Sequence, residues 1–185
     1  MPVQLPFSDV LRDFGKPKIN RAPSPSLAFA VPWLLVMIAS LAPSLPLIAS
    51  APLVPPLGFM TLLAWQQHRP GLFPVWAGLP LGLFDDLYSG QPVGSAVLLW
   101  SLAMIGLDVV ERRFPWRGFV HNWLVASAII PGYLVLALIL ANMTGGSTPL
   151  LTILPQVGFS ILAFPIVARI VGAGDRFRLI PVRTV

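Results

Sequence analysis

Between Ser26 and Gln66 the chain carries no charged side chain over about 39 residues, which as one helix would run roughly 58 Å, about twice a ~30 Å hydrocarbon core. An apolar segment of that length must fold back once. The turn belongs where Pro43, Pro46, Pro52, Pro55 and Pro56 crowd together, because proline breaks a helix interior. This predicts helix 1 over 26–42 and helix 2 over 50–65. The remaining chain is of the same kind: 56% of its 185 residues are hydrophobic and only 10% are charged, a balance foreign to soluble domains. Further apolar stretches predict helix 3 over 72–88, helix 4 over 94–110, helix 5 over 122–141 and helix 6 over 150–171. The expected fold is a compact all-α bundle of six transmembrane helices, kinked at Pro32, Pro80, Pro131, Pro155 and Pro165.

The formal charge of +5 comes from twelve basic residues in four places: Arg12, Lys16, Lys18 and Arg21; Arg69; Arg112, Arg113 and Arg117; Arg169, Arg176, Arg178 and Arg183. A chain that crosses a bilayer twice between successive basic clusters keeps all of them inside. Both termini and the loops 66–71 and 111–121 are therefore expected in the cytoplasm, with short connections 43–49, 89–93 and 142–149 outside. This distribution points to membrane lipid as a partner and not to nucleic acid. With no cysteine and only two histidines, disulfides, thiolate metal sites, a cysteine nucleophile and a histidine-rich metal cage are excluded, and no cofactor is expected. The organisation reads as an N-terminal cytoplasmic tail over 1–25, the transmembrane domain over 26–171 and a C-terminal cytoplasmic tail over 172–185, without a cleaved targeting segment. In the first tail, Phe7, Val10, Leu11 and Phe14 fall at helical spacing opposite Ser8, Asp9, Arg12 and Asp13. That turn either lies on the membrane surface, binds a partner, or is a plain leader held inside by its basic residues. Phe7 and Leu11, with Arg112, Arg113 and Arg117, are the candidates for a cytoplasmic interface.

The informative motif is GLPLGLFDDLYSGQPVG, residues 78–94. A charge at bilayer depth costs several kcal/mol, about 2.5–3.5 on insertion scales, so a carboxylate kept there has a partner or a task. With Gly78 set to zero, Gly82 falls at about 40°, Asp85 at about −20° and Asp86 at about 80° around the helix. Both acids share the glycine face, while Leu83, Phe84 and Leu87 lie on the other side. Glycines four apart let a second backbone approach, and close packing drives helix association in lipid. Helix 3 is therefore expected at the centre of the bundle. Three roles are open to the acids: accepting hydrogen bonds from Tyr88, Gln91 or Ser95 or capping helix 4; carrying a ligand or proton; or catalysis. An intramembrane aspartyl protease needs two acids on facing helices, whereas these are adjacent on one helix and Asp108 lies near the opposite surface.

Other features are ordinary for a membrane protein. Asp108 and Arg112 are spaced for one ion pair. His68 and His121 are expected to face headgroups. Trp33, Trp65, Trp76, Trp116 and Trp123 fall near helix ends as an interfacial belt requires, with Trp100 a packing residue in mid-helix. Asn142 and Thr144 match a glycosylation sequon by coincidence.

The short helices, the basic tails and the run GLPLGLFDDLYSGQPVGSAVL resemble the bacterial rod shape-determining MreD family. Its pattern of glycine, aspartate, glycine and glycine at intervals of four is matched by Gly82, Asp86, Gly90 and Gly94, with Gly78 and Asp85 beside it. The preceding PPLGFMTLLAWQQHRPG also has the family's look. The resemblance covers roughly residues 25–172; the longer basic tail, Asp85 and the proline richness depart from it. It implies a multi-pass, non-enzymatic scaffold subunit of the cell-elongation complex in the bacterial inner membrane. The partners it implies are an MreC-like bitopic membrane protein, the MreB filament, and RodA with its transpeptidase. The fold it implies is similar to the substrate-binding components of energy-coupling-factor transporters, so the competing function is a small-molecule-binding transporter subunit. Short outer loops with few polar groups weigh against the transporter.

Overall fold

The computed structural model describes residues 21–22, 25–44, 54–113, 118–179 and 183–184. Six α-helices make up the body: α1 Pro25–Ser40, α2 Leu57–His68, α3 Gly78–Ser89, α4 Ser95–Arg113, α5 Phe119–Met143 and α6 Leu154–Arg178. Two short strands, β1 (Arg21–Ala22) and β2 (Arg183–Thr184), pair antiparallel and bring the segments flanking the bundle together at one end, called here the terminal pole. The chain runs up and down between this pole and the far pole.

The prolines set the helix boundaries. Pro55 and Pro56 delay the start of α2 to Leu57, whose N–H already turns back to the Pro55 carbonyl at 2.8 Å, so helix 2 starts and ends later than the expected 50–65. Pro80 falls in the first turn of α3 and Pro155 at the start of α6, where a missing N–H removes no intrahelical bond. Pro32, Pro131 and Pro165 lie inside their helices. A 3-10 turn, Val75–Ala77, leads into α3, and another, Leu150–Ile153, leads into α6. Helix α6 continues to Arg178, past the expected limit of 171, and so takes in much of what the sequence assigned to a tail.

Among the described residues three helical stretches are long and apolar enough to cross a membrane: Ser26–Ser44, Phe119–Met143 and Leu150–Arg178. By contrast, α2 and α3 have 12 residues each, about 18 Å of helix, against a core of ~30 Å. Packing against neighbours explains how such short helices are accommodated. Every residue of α2 from Gly58 to Gln66 is buried, and α2 touches α1, α4, α5 and α6. The central helix is thus α2 and not helix 3. Its sequence is apolar all round, as a fully enclosed helix requires. Phe59 stacks on Tyr133 of α5 with ring centroids 4.1 Å apart, and Trp65 and Trp100 complete the core with no exposed surface. Trp65 is therefore a core residue and no part of an interfacial belt, because α2 extends one turn beyond it. Trp76 is exposed, and Trp33 packs among Phe29, Phe73 and Trp76. Trp116 lies outside the described residues.

Candidate functional site

Helices α3 and α4 form a hairpin whose close approach depends on missing side chains. A Cβ on Gly82 would sit 2.7 Å from the Val97 nitrogen and 2.8 Å from the Ala96 carbonyl carbon. On Gly78 it would sit 2.8 Å from the Ser101 nitrogen. These obstacles are backbone, which cannot rotate aside as a side chain would. Gly78, Leu81, Gly82, Asp85 and Asp86 are buried on this face, and Leu79, Leu83 and Leu87 are exposed on the opposite one.

The connection back to α4 uses two further glycines for a different reason. Gly90 ends α3 with φ +67° and Gly94 precedes α4 with φ +94°, the left-handed region that residues with a Cβ avoid. The resulting turn delivers the start of α4 onto the Asp86 carboxylate. Its Oδ2 accepts the Gly94 N–H at 2.7 Å, and its Oδ1 accepts the Ala96 N–H at 2.9 Å and the Ser95 hydroxyl at 3.2 Å. The Val97 N–H lies 3.5 Å from Oδ2, and the Ser95 hydroxyl also reaches Gln91 Oε1 at 3.3 Å. The first N–H groups of a helix have no intrahelical acceptor, and the helix dipole makes that end partly positive. Asp86 therefore caps α4 from the preceding helix, with a negative charge at the favourable end. Tyr88 is exposed and packs on Phe84; it takes no part in the cap.

Asp85, its neighbour, points elsewhere. It is buried at 6% exposure and shares the groove over Gly58 with Ser40, where a Cβ would collide with the Ser40 hydroxyl and approach Asp85 Oδ1 to 2.9 Å. Asp85 thus sits beside α1 and α2, whereas Asp86 joins α3 to α4.

A third buried carboxylate, which no sequence motif singles out, organises the terminal pole. Asp175 of α6 is 4% exposed and Arg178 is 7% exposed. Asp175 Oδ2 accepts from Arg69 Nε at 3.1 Å and from its terminal nitrogen at 2.9 Å, and Oδ1 accepts from Arg178 Nε at 2.7 Å. Arg178 also donates to the Ala28 carbonyl of α1 at 3.1 Å, and its guanidinium lies 5.5 Å from the Trp65 ring centroid. His68 Nε2 is 3.6 Å from the same carboxylate. These hydrogen bonds raise the pKa of Arg69, which sits in the loop after α2, above its ordinary value. The cluster ties α1, α2 and α6 together. The one available signal was an isolated acid three residues before an arginine inside a basic cluster.

The remaining expected residues are dispersed. Arg112 pairs with Asp108 at 2.6 Å on an exposed face, and Arg113 is exposed beside it. Phe7, Leu11 and Arg117 lie outside the described residues. Asn142 is engaged in the loop before α6, exchanging side-chain hydrogen bonds of 3.0 Å with the Thr148 backbone. Among the described residues no group of three His, Asp or Glu side chains comes together to hold a metal.

No curated protein and no solved structure matches the chain. The family described as rod shape-determining protein MreD matches over residues 25–168, which contain α1 to α5, the glycine face and the whole Asp86 cap. With that match across most of its length and the matching aspartate and glycines in one hairpin, this chain belongs to the MreD family of rod shape-determining membrane proteins.

Proposed function

We propose that this chain is a non-enzymatic scaffold subunit of the cell-elongation machinery, crossing the bacterial inner membrane six times with both termini in the cytoplasm. The family is one of shape-determining membrane proteins in the MreBCD system and is not a known enzyme family. The observation that carries the proposal is how the two buried acids with defined hydrogen bonds are spent: Asp86 on the start of α4, and Asp175 on two arginines. Each fastens helices to one another. The bundle leaves rows of apolar side chains on its outside, such as Leu34 and Ile38 on α1 and Leu162, Ile166 and Ile170 on α6, suited to lipid or to a partner's membrane helix. An MreC-like bitopic protein is the partner that fits best. Through it the chain would link the MreB filament to RodA and its transpeptidase.

Co-purification from native membranes tests the scaffold: a stoichiometric MreC-like partner is expected, and its absence under conditions that keep the bundle folded would overturn the reading. The topology has its own test. Reporter fusions after residue 46 or 146 should read as outside, because all twelve basic residues then lie inside; a cytoplasmic signal at either place contradicts six spans.

A further inference from the structure

A cavity of about 490 Å³ opens at the terminal pole between α2, α5 and α6. Its size falls within the ~300–1,000 Å³ usual for small-ligand sites. Ala64, Phe119, Trp123 and Phe164 give it an apolar wall. Its polar lining comes from Gln67, His68, Asn122 and Arg169, of which only Arg169 carries a permanent charge. Arg169 faces it and forms no ion pair among the described residues, unlike Arg69 and Arg178, which Asp175 already holds. The Gln67 side-chain nitrogen is buried there with no hydrogen-bond acceptor. Gly118 and Phe119 open the 25-residue helix α5, so its first N–H groups and the positive end of its dipole lie at the same mouth. Among the described residues no Asp or Glu lines the cavity.

We propose that this cavity binds the phosphate headgroup of an anionic phospholipid. A cation, an unmatched amide donor and a helix N-terminus specify an anion with several acceptor oxygens. The apolar wall specifies that the anion carries a hydrocarbon body, which a free ion lacks. A basic pocket between membrane helices at the cytoplasmic side is where such headgroups are held, and this pole is the cytoplasmic one in the proposed topology. Trp123 stands at the boundary, its indole N–H donating to the Ile161 carbonyl at 3.1 Å while the ring lines the cavity.

Native mass spectrometry of the purified full chain, in detergent doped with phosphatidylglycerol or phosphatidylcholine, tests this. Phosphatidylglycerol should be retained about tenfold better, the factor expected from one additional charge-assisted contact. Arg169→Glu should abolish that preference, and Ala168→Phe, which fills the cavity without changing charge, should reduce retention of the lipid itself. Arg176→Glu makes the same charge change at the same pole on a residue that does not line the cavity and should leave the preference intact. Equal retention of both lipids, equal loss with Arg176→Glu, or unimpaired retention in Ala168→Phe would overturn the proposal. Displacement of the lipid by millimolar inorganic phosphate would also overturn it, showing a plain anion site.

Discussion

A buried carboxylate organises each pole, Asp86 the far one and Asp175 the terminal one, and the two are held by opposite means. Asp86 receives backbone N–H groups and a hydroxyl from residues eight to eleven positions along the chain. Asp175 receives guanidinium groups, one of them 106 positions away. Neutral donors need an acceptor, and an amide oxygen can serve. A buried guanidinium group such as that of Arg178 needs a negative charge, and an amide leaves it without one. The same residue type therefore has different replaceability at the two ends of one bundle.

The largest expected effect is at the terminal pole. Asp175→Asn should destabilise the protein by about 3–5 kcal/mol, the cost of leaving a buried partner such as Arg178 uncompensated, read as thermal stability in detergent. A loss no greater than that of Asp86→Asn would erase the distinction between the poles.

The next effect belongs to the glycine face that delivers α4 to Asp86. Gly82→Leu forces a side chain against the Ala96–Val97 backbone and should cost at least the ~1–3 kcal/mol of ordinary overpacking, lowering yield and partner co-purification. Leu83→Ala trims an exposed residue and should leave both measures near wild type. Equal tolerance of the two would show that the close approach of α3 and α4 does not matter.

The smallest effect should come from the exposed Asp108–Arg112 pair. Arg112→Ala should change thermal stability by only about 0.3–0.5 kcal/mol, because solvent screens the pair. A change as large as that at Asp175 would mean that burial is not what separates these ion pairs.

Legibility in the sequence followed the same division. The α3 face could be read because 3.6-residue periodicity places Gly78, Gly82, Asp85 and Asp86 together, and Ser95 lies close enough along the chain to be named as a donor. The Asp175 cluster could not, because no local period says which residues of α2 and α6 meet, and the apolar pattern stops before it. Six helices were legible from the apolar stretches between basic clusters. The central place of α2 was not, since apolarity on every side distinguishes an enclosed helix from a lipid-facing one only after its neighbours are known. Trp65 shows the same thing: the apolar run ends beside it, which by sequence alone puts it at the interface, whereas the helix continues to His68 and buries it.

The central claim is that Asp86 acts as a hydrogen-bond acceptor that fixes the start of α4, and that the scaffold depends on that fixed hairpin. Co-purification of the MreC-like partner, compared for Asp86→Asn and Asp86→Ala, measures it most directly. The alanine variant leaves the Gly94 and Ala96 N–H groups without their acceptor, about 1–3 kcal/mol each, and should lose most of the partner. The asparagine variant keeps one acceptor oxygen and should retain a substantial part of it. Asparagine failing as completely as alanine would show that the charge is what matters, and full partner recovery with alanine would contradict the account altogether.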